Sequence, residues 1–237
     1  MGALSLLRLW RLADRKESRL IVALDLPGEA PISEAARILS SLGDLACGVK
    51  IGLPLLLGAG PDKVAELIDD FRDDYFFIAD PKVAESPHIT TQVVRRLASL
   101  GFEAVIVHLF QGGLEGPREA AQSAGVALIG VLMMPHRGVE LFEQCFNELL
   151  SRAASLKLDG VIVGATKPRY IRRAREVLPR GIAILAPGVI VQGAQPGSAI
   201  REGADFEVVG RAIVRAEDPA AAAKRIVEAE RAALRAR

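Results

Sequence analysis

Short apolar runs rich in β-branched residues recur along the chain, separated by segments in which apolar positions return at helical period. The runs cover 20–24, 47–51, 75–79, 104–108, 126–132, 160–164, 182–186 and 206–210. Each reads as a strand, and the patterns at 33–42, 62–71, 87–100, 141–156 and 168–178, with a last one from 218 onward, read as helices. Strands alternating with helices imply a parallel sheet. Eight such units in a chain of 237 residues imply a closed α/β architecture, the (β/α)8 or TIM barrel, as one domain over 1–237. A doubly wound open sheet is the alternative. The opening Leu4-Ser5-Leu6-Leu7-Arg8-Leu9-Trp10-Arg11-Leu12 is broken by arginines. It predicts an extra amphipathic N-terminal helix and not a signal peptide or membrane span.

Composition narrows the partners. Half of the residues are hydrophobic, enough for a full core. Lys plus Arg total 30 against 29 Asp plus Glu, a formal charge of +1, so no global field draws the chain to nucleic acid or an acidic membrane. A small-molecule partner and a cytoplasmic protein are expected. Cys47 and Cys145 make no metal-ligand spacing, and His88, His108 and His136 are scattered singly, so reduced thiols and no bound metal are expected.

In a barrel of this kind the C-terminal strand ends form the active face, and Asp25, Lys50, Asp80, Lys82 and His108 all fall there. Strand alternation points Asp80 and Lys82 the same way, with Glu85 just beyond. One Asp-x-Lys alone is most simply an ion pair at a sheet rim. A second lysine, Lys50, closing another strand in the same manner favours a site. The loop 187–197 carries three glycines and two prolines and precedes the eighth strand end, where Arg211 stands. Loops after the seventh and eighth strands commonly bind phosphate through backbone amides, and the guanidinium fork suits phosphate oxygens. A surface arginine is the plainer alternative.

Taken in order, Val22-Ala23-Leu24-Asp25, Gly48-Val49-Lys50-Ile51-Gly52, Asp80-x-Lys82, Val107-His108, Val163-Gly164-Ala165-Thr166, Pro187-Gly188-Val189 with Gln192-Gly193, and Val209-Gly210-Arg211-Ala212-Ile213 resemble the orotidine 5′-phosphate decarboxylase family along nearly the whole chain. The resemblance implies cofactor-free decarboxylation of orotidine 5′-phosphate to uridine 5′-phosphate in pyrimidine biosynthesis. It casts Asp25 and Lys50 as ligands of ribose hydroxyls and neighbouring carboxylates, and Lys82 as proton donor beside Asp80. Gln192, Gly210 and Arg211 correspond to the phosphate grip, with Pro187, Gly188, Val189 and Gly193 beside the substrate. It further implies a homodimer whose acid after the Asp-x-Lys enters the neighbouring subunit's site.

Three positions depart from the family pattern. Glu85 replaces an aspartate and reaches one methylene further. Thr90 stands one position late for the family's ribose-binding threonine. Pro135 occupies the place of a serine that meets the pyrimidine, and it has neither a side-chain donor nor a backbone N–H. Base recognition is then expected from backbone groups near Met134 and His136. Two rivals follow. One is another phosphosugar decarboxylase or aldolase of the same suprafamily, dependent on magnesium, against which Lys50 argues. The other is a catalytically decayed phosphate-ligand binding paralogue, against which the retained Asp80 and Lys82 argue.

Overall fold

The computed structural model describes residues 6–26 and 31–237, so Leu4 and Ser5 of the expected opening helix lie outside the described residues. Eight parallel strands close on themselves in sequence order. They are β1 (Leu20–Leu24), β2 (Gly48–Gly52), β3 (Phe76–Val83), β4 (Ala104–His108), β5 (Ala127–Met133), β6 (Gly160–Val163), β7 (Ala183–Pro187) and β8 (Phe206–Val209). The (β/α)8 barrel replaces the open-sheet alternative, since β1 pairs with β8 through Ile21 and Val208.

The strands are apolar throughout because both faces are buried. Alternation splits them into two cores. One row, including Leu20, Val22, Val49, Phe77, Val105 and Val161, packs outward against the helices. The other, including Ile21, Ala23, Phe76, Ile78, Ala104, Ile106 and Phe206, fills the barrel. The inward row continues at the strand ends through Asp25, Lys50, Asp80 and His108, so one periodicity builds the core and aims the charges.

The helices are α1 (Leu7–Lys16), α2 (Pro31–Leu42), α3 (Leu53–Ala59), α4 (Pro61–Phe71), α5 (Pro87–Ser99), α6 (Glu115–Ser123), α7 (Glu140–Ser155), α8 (Pro168–Val177), α9 (Ser198–Arg201), α10 (Arg211–Val214) and α11 (Pro219–Arg235). Helix α1 is the extra N-terminal element. Leu9, Leu12 and Ala13 join the barrel-filling core, and Trp10 packs on Phe206 with ring centroids 4.8 Å apart. It plugs the N-terminal mouth of the barrel and leaves the C-terminal mouth open. Helix α11 starts where Asp218 Oδ1 accepts the Ala221 N–H at 2.9 Å, an N-cap that satisfies one otherwise free donor. Among the described residues no helix is long and apolar enough to cross a membrane.

Candidate active site

At the open mouth, the ends of β1, β2 and β3 carry a chain of alternating charge. Lys50 Nζ lies 3.1 Å from Asp25 Oδ1 and 2.9 Å from Asp80 Oδ2, and Lys82 Nζ lies 2.7 Å from the same Asp80 oxygen. Asp80 Oδ2 therefore serves both ammoniums, while Asp80 Oδ1 is buried with no hydrogen-bond partner among the described residues. Burial acts to lower the Lys50 pKa, but the Asp80 and Asp25 carboxylates outweigh it and leave the group above the ordinary lysine value. Lys50 is a fixed cation.

Plain strand alternation accounts for Asp80 but not for Lys82. Strand β3 runs on to Val83, past the expected end at Ala79, and its register against β4 shifts between Ala79 and Val83. Lys82 sits within that irregularity at φ +47°, a left-handed conformation that costs an ordinary side chain about 1–2 kcal/mol. The bulge turns the lysine back onto Asp80, and strain of this kind clusters at functional sites. Gly52 supports the pair on the other side. A Cβ there would lie 1.9 Å from Asp25 Oδ1, so any larger residue would evict the carboxylate from Lys50.

A cavity of about 400 Å³ opens over this array. Asp25, Lys50, Asp80 and Lys82 line one part of it, and Gln192, Gly210 and Arg211 line another. Pro135, Pro187, Gly188 and Val189 complete the walls, so eleven of the fourteen residues singled out from the sequence meet at one place. The loop after β7 is held by backbone bonds from Ile190 N to Ala194 O at 2.8 Å and from Gly193 N to Ile190 O at 2.9 Å. Gly188, at φ +107°, lets that loop approach Pro135 and Gln192, since a Cβ would meet them at 2.7 and 2.9 Å.

The other three lie elsewhere. Gly193 is not part of the cavity wall. Thr90 is buried, and its hydroxyl donates to the Glu85 carbonyl at 3.0 Å, which ties the start of α5. Glu85 is exposed, and its carboxylate accepts the Ser86 N–H at 2.9 Å. His108 also stays off the cavity wall. Its ring packs against Phe110 and Phe142, and burial first, with Lys82 second, lowers its pKa. Conversely, Pro54, His136 and Arg215 line the cavity without having been expected to, save for backbone groups near His136. His136 Nδ1 donates to the Arg137 carbonyl at 2.7 Å, which turns Nε2 away from that carbonyl.

A (β/α)8 barrel with reactive charges on its inward rows and a cavity over its C-terminal mouth is the architecture of a barrel enzyme. The chain belongs to the orotidine 5′-phosphate decarboxylase / HUMPS family, whose sequence model matches residues 18–226. Among curated relatives, the orotidine 5′-phosphate decarboxylase of Thermococcus kodakarensis is 35% identical over 214 residues, covering 90% of this chain and 97% of the relative. That of Methanococcoides burtonii is 33% identical over 216 residues, covering 90% and 97%. Among solved structures, the orotidine 5′-monophosphate decarboxylase of Sulfolobus solfataricus superposes with a TM-score of 0.82 at 29% identity, covering 92% of this chain and 99% of that one. The enzyme from Methanocaldococcus jannaschii, complexed with the inhibitor BMP, gives 0.81 at 25% identity, covering 90% and 98%.

Proposed function

We propose that this chain is a carboxy-lyase that converts orotidine 5′-phosphate to uridine 5′-phosphate in pyrimidine biosynthesis, with Lys82 as the acid that protonates the ring carbon. The observation that carries the reading is the clamp of Asp80 Oδ2 between Lys50 and Lys82, at 2.9 and 2.7 Å. Loss of carbon dioxide leaves an electron pair on a ring carbon with no cofactor to spread it, so the site must stabilise charge that appears in the transition state. The Lys82 ammonium supplies that stabilisation. It then gives its proton to the same carbon, and the products are carbon dioxide and the nucleotide. Asp80 holds the ammonium in place and, beside the departing carboxylate, repels a charge that the reaction removes. Lys50 and Asp25 fix Asp80 and meet the ribose.

Gln192, Gly210 and Arg211 hold the phosphate, with Pro187, Gly188, Val189 and Gly193 shaping the loop beside it. Binding energy gathered there, remote from the reacting carbon, serves to order the loop and orient the ring. Pro135 bounds the pyrimidine without donating to it. The magnesium-dependent reading is disfavoured because Lys50 already binds both Asp25 oxygens and Asp80 Oδ2, placing a cation where a divalent metal would have to sit. We read the whole chain, 1–237, as one barrel domain, acting in the cytoplasm as a homodimer in which Glu85 of the partner subunit completes each charged array. The support is that Glu85 stands exposed past the rim of its own barrel. Thr90, one turn into α5, braces that segment.

The test is the absorbance change of orotidine 5′-phosphate with purified protein, with and without a chelator. Turnover unchanged by the chelator is expected. No turnover, or turnover restored only by magnesium, would overturn the reading.

A further inference from the structure

We infer that Arg215 is a second phosphate-binding cation, which pairs with Arg211 to match the dianion of the substrate's 5′-phosphate. The inference rests on the proposed nucleotide reading and adds a residue to that site. Arg211 opens α10 at the end of β8, and the Arg215 N–H donates to the Arg211 carbonyl at 3.2 Å. The two side chains therefore start one helical turn apart on the same face. Both line the cavity beside Gly210 and Gln192. Neither makes a side-chain hydrogen bond or ion pair with the described residues, so both guanidinium groups are open to a ligand in the cavity.

The charge count of the cavity wall supports the same assignment. At the reacting end, Asp25 and Asp80 balance Lys50 and Lys82. Among the described residues, Arg211 and Arg215 are the remaining charged residues of the wall, two positive charges with no carboxylate among them. A phosphate monoester carries close to two negative charges at neutral pH, so one arginine would leave it half neutralised and two would match it. Guanidinium groups suit this because each offers two parallel donors to phosphate oxygens. A neutral end for the chemistry and a doubly cationic end for the phosphate also orient the nucleotide in one direction.

The experiment compares binding of uridine 5′-phosphate and uridine to the wild-type enzyme and to Arg215→Ala, Arg215→Gln, Arg215→Lys and Arg211→Ala, with circular dichroism confirming the fold of each. Because Arg215 is exposed to solvent, its removal should weaken uridine 5′-phosphate by about tenfold at low salt, less than the loss at Arg211. Uridine should bind all the variants as it binds the wild type. Arg215→Lys should recover part of the loss, and added salt should shrink it. In turnover, Arg215→Gln should raise KM more than it lowers kcat. Unchanged binding of uridine 5′-phosphate in both Arg215→Ala and Arg215→Gln, or an equal loss for uridine, would remove Arg215 from the phosphate site. Failure of the wild type to bind uridine 5′-phosphate would instead overturn the nucleotide reading beneath it.

Discussion

The two ends of this barrel use the same residue types to opposite effect. At the N-terminal end, Glu103, Asp159 and Asp205 each stand one position before a strand and accept the N–H of a residue on the preceding strand, Phe77, Leu128 and Ile184. Each is also paired with one arginine: Arg8 at 2.7 Å, Arg118 at 2.6 Å and Arg175 at 2.5 Å. Each carboxylate thus meets one guanidinium and at least one backbone donor, and these bonds run between neighbouring elements of the barrel. At the C-terminal end, Asp80 gives a single oxygen to two lysines and leaves the other unpaired, Lys82 is held in a left-handed conformation, and Arg211 and Arg215 face a cavity. Saturated ion pairs tie strands together. Unsaturated ones, held rigid by the saturated end, are free to act on a substrate.

The sharpest way to break this contrast is to remove one charge at each end. Lys82→Ala should abolish decarboxylation, a loss of at least about a thousandfold, while leaving the thermal midpoint close to that of the wild type, because the side chain acts on the reacting carbon and its strained backbone gains nothing for the fold. Activity within tenfold of the wild type would remove Lys82 from the chemistry. The same variant tests the shared site. Mixed with inactive Glu85→Ala subunits, it should recover up to about a quarter of wild-type activity, since half of the dimers at random would be hybrids with one intact array. Full activity of Glu85→Ala alone would confine that carboxylate to the start of α5.

At the other end the expected outcome reverses. Asp159→Ala would leave the Arg118 guanidinium, whose side chain is 5% exposed, with the Lys157 carbonyl but no counter-charge, and would free the Leu128 N–H. Breaking a buried pair from one side typically costs about 3–5 kcal/mol. Urea unfolding should show that loss, with kcat per folded molecule unchanged. A catalytic defect without a stability defect would mean that the two ends are not separable in the way their bonding implies.

How far the sequence discloses this division depends on which periodicity a residue obeys. The strands and the inward placement of Asp25, Lys50, Asp80 and His108 follow from alternation alone, so they are legible. Lys82 reaches Asp80 through a bulge and a positive φ, neither of which the pattern encodes, although Asp-x-Lys suggests the same meeting by a simpler route. Helices α3, α6, α9 and α10 were not singled out because three are too short to show a period and α6 is mostly polar and small. Arg215 escaped because an arginine just past a four-residue helix has no pattern to stand against. Gly52 was visible only as part of a motif, and its purpose, to leave room for the Asp25 carboxylate, needs coordinates. Thr90 and Glu85 show the converse: their identities stand out, but α5 and its first turn claim their hydrogen bonds.

The smallest expected effect lies at a carboxylate of the lower end that is not saturated. Glu230 is fully buried, accepts the Arg19 N–H at 3.1 Å through Oε2, and leaves Oε1 without a partner. Burial, with the Glu207 carboxylate as second cause, raises its pKa well above the ordinary value, against the weaker opposing pull of Arg19 and Arg231. Glu207 is itself raised by burial, and so is the Cys47 thiol buried nearby, two acids that carry no positive charge in any state. The sign follows from proton linkage. Below the ordinary carboxylate range Glu230 is protonated in both the folded and the unfolded chain and carries no penalty. Between that range and its raised folded value, the folded chain keeps a proton that the unfolded chain releases, so stability falls as pH rises. Each unit of separation costs about 1.4 kcal/mol at pH above both values. Glu230→Gln keeps an oxygen for the Arg19 N–H and has no proton to lose. In urea unfolding, its stability relative to wild type should therefore climb as pH is raised through the range above the ordinary carboxylate values. A difference that stays flat across this range would mean that Glu230 is ionised in the folded chain and that the lower end is as fully saturated there as at Asp159.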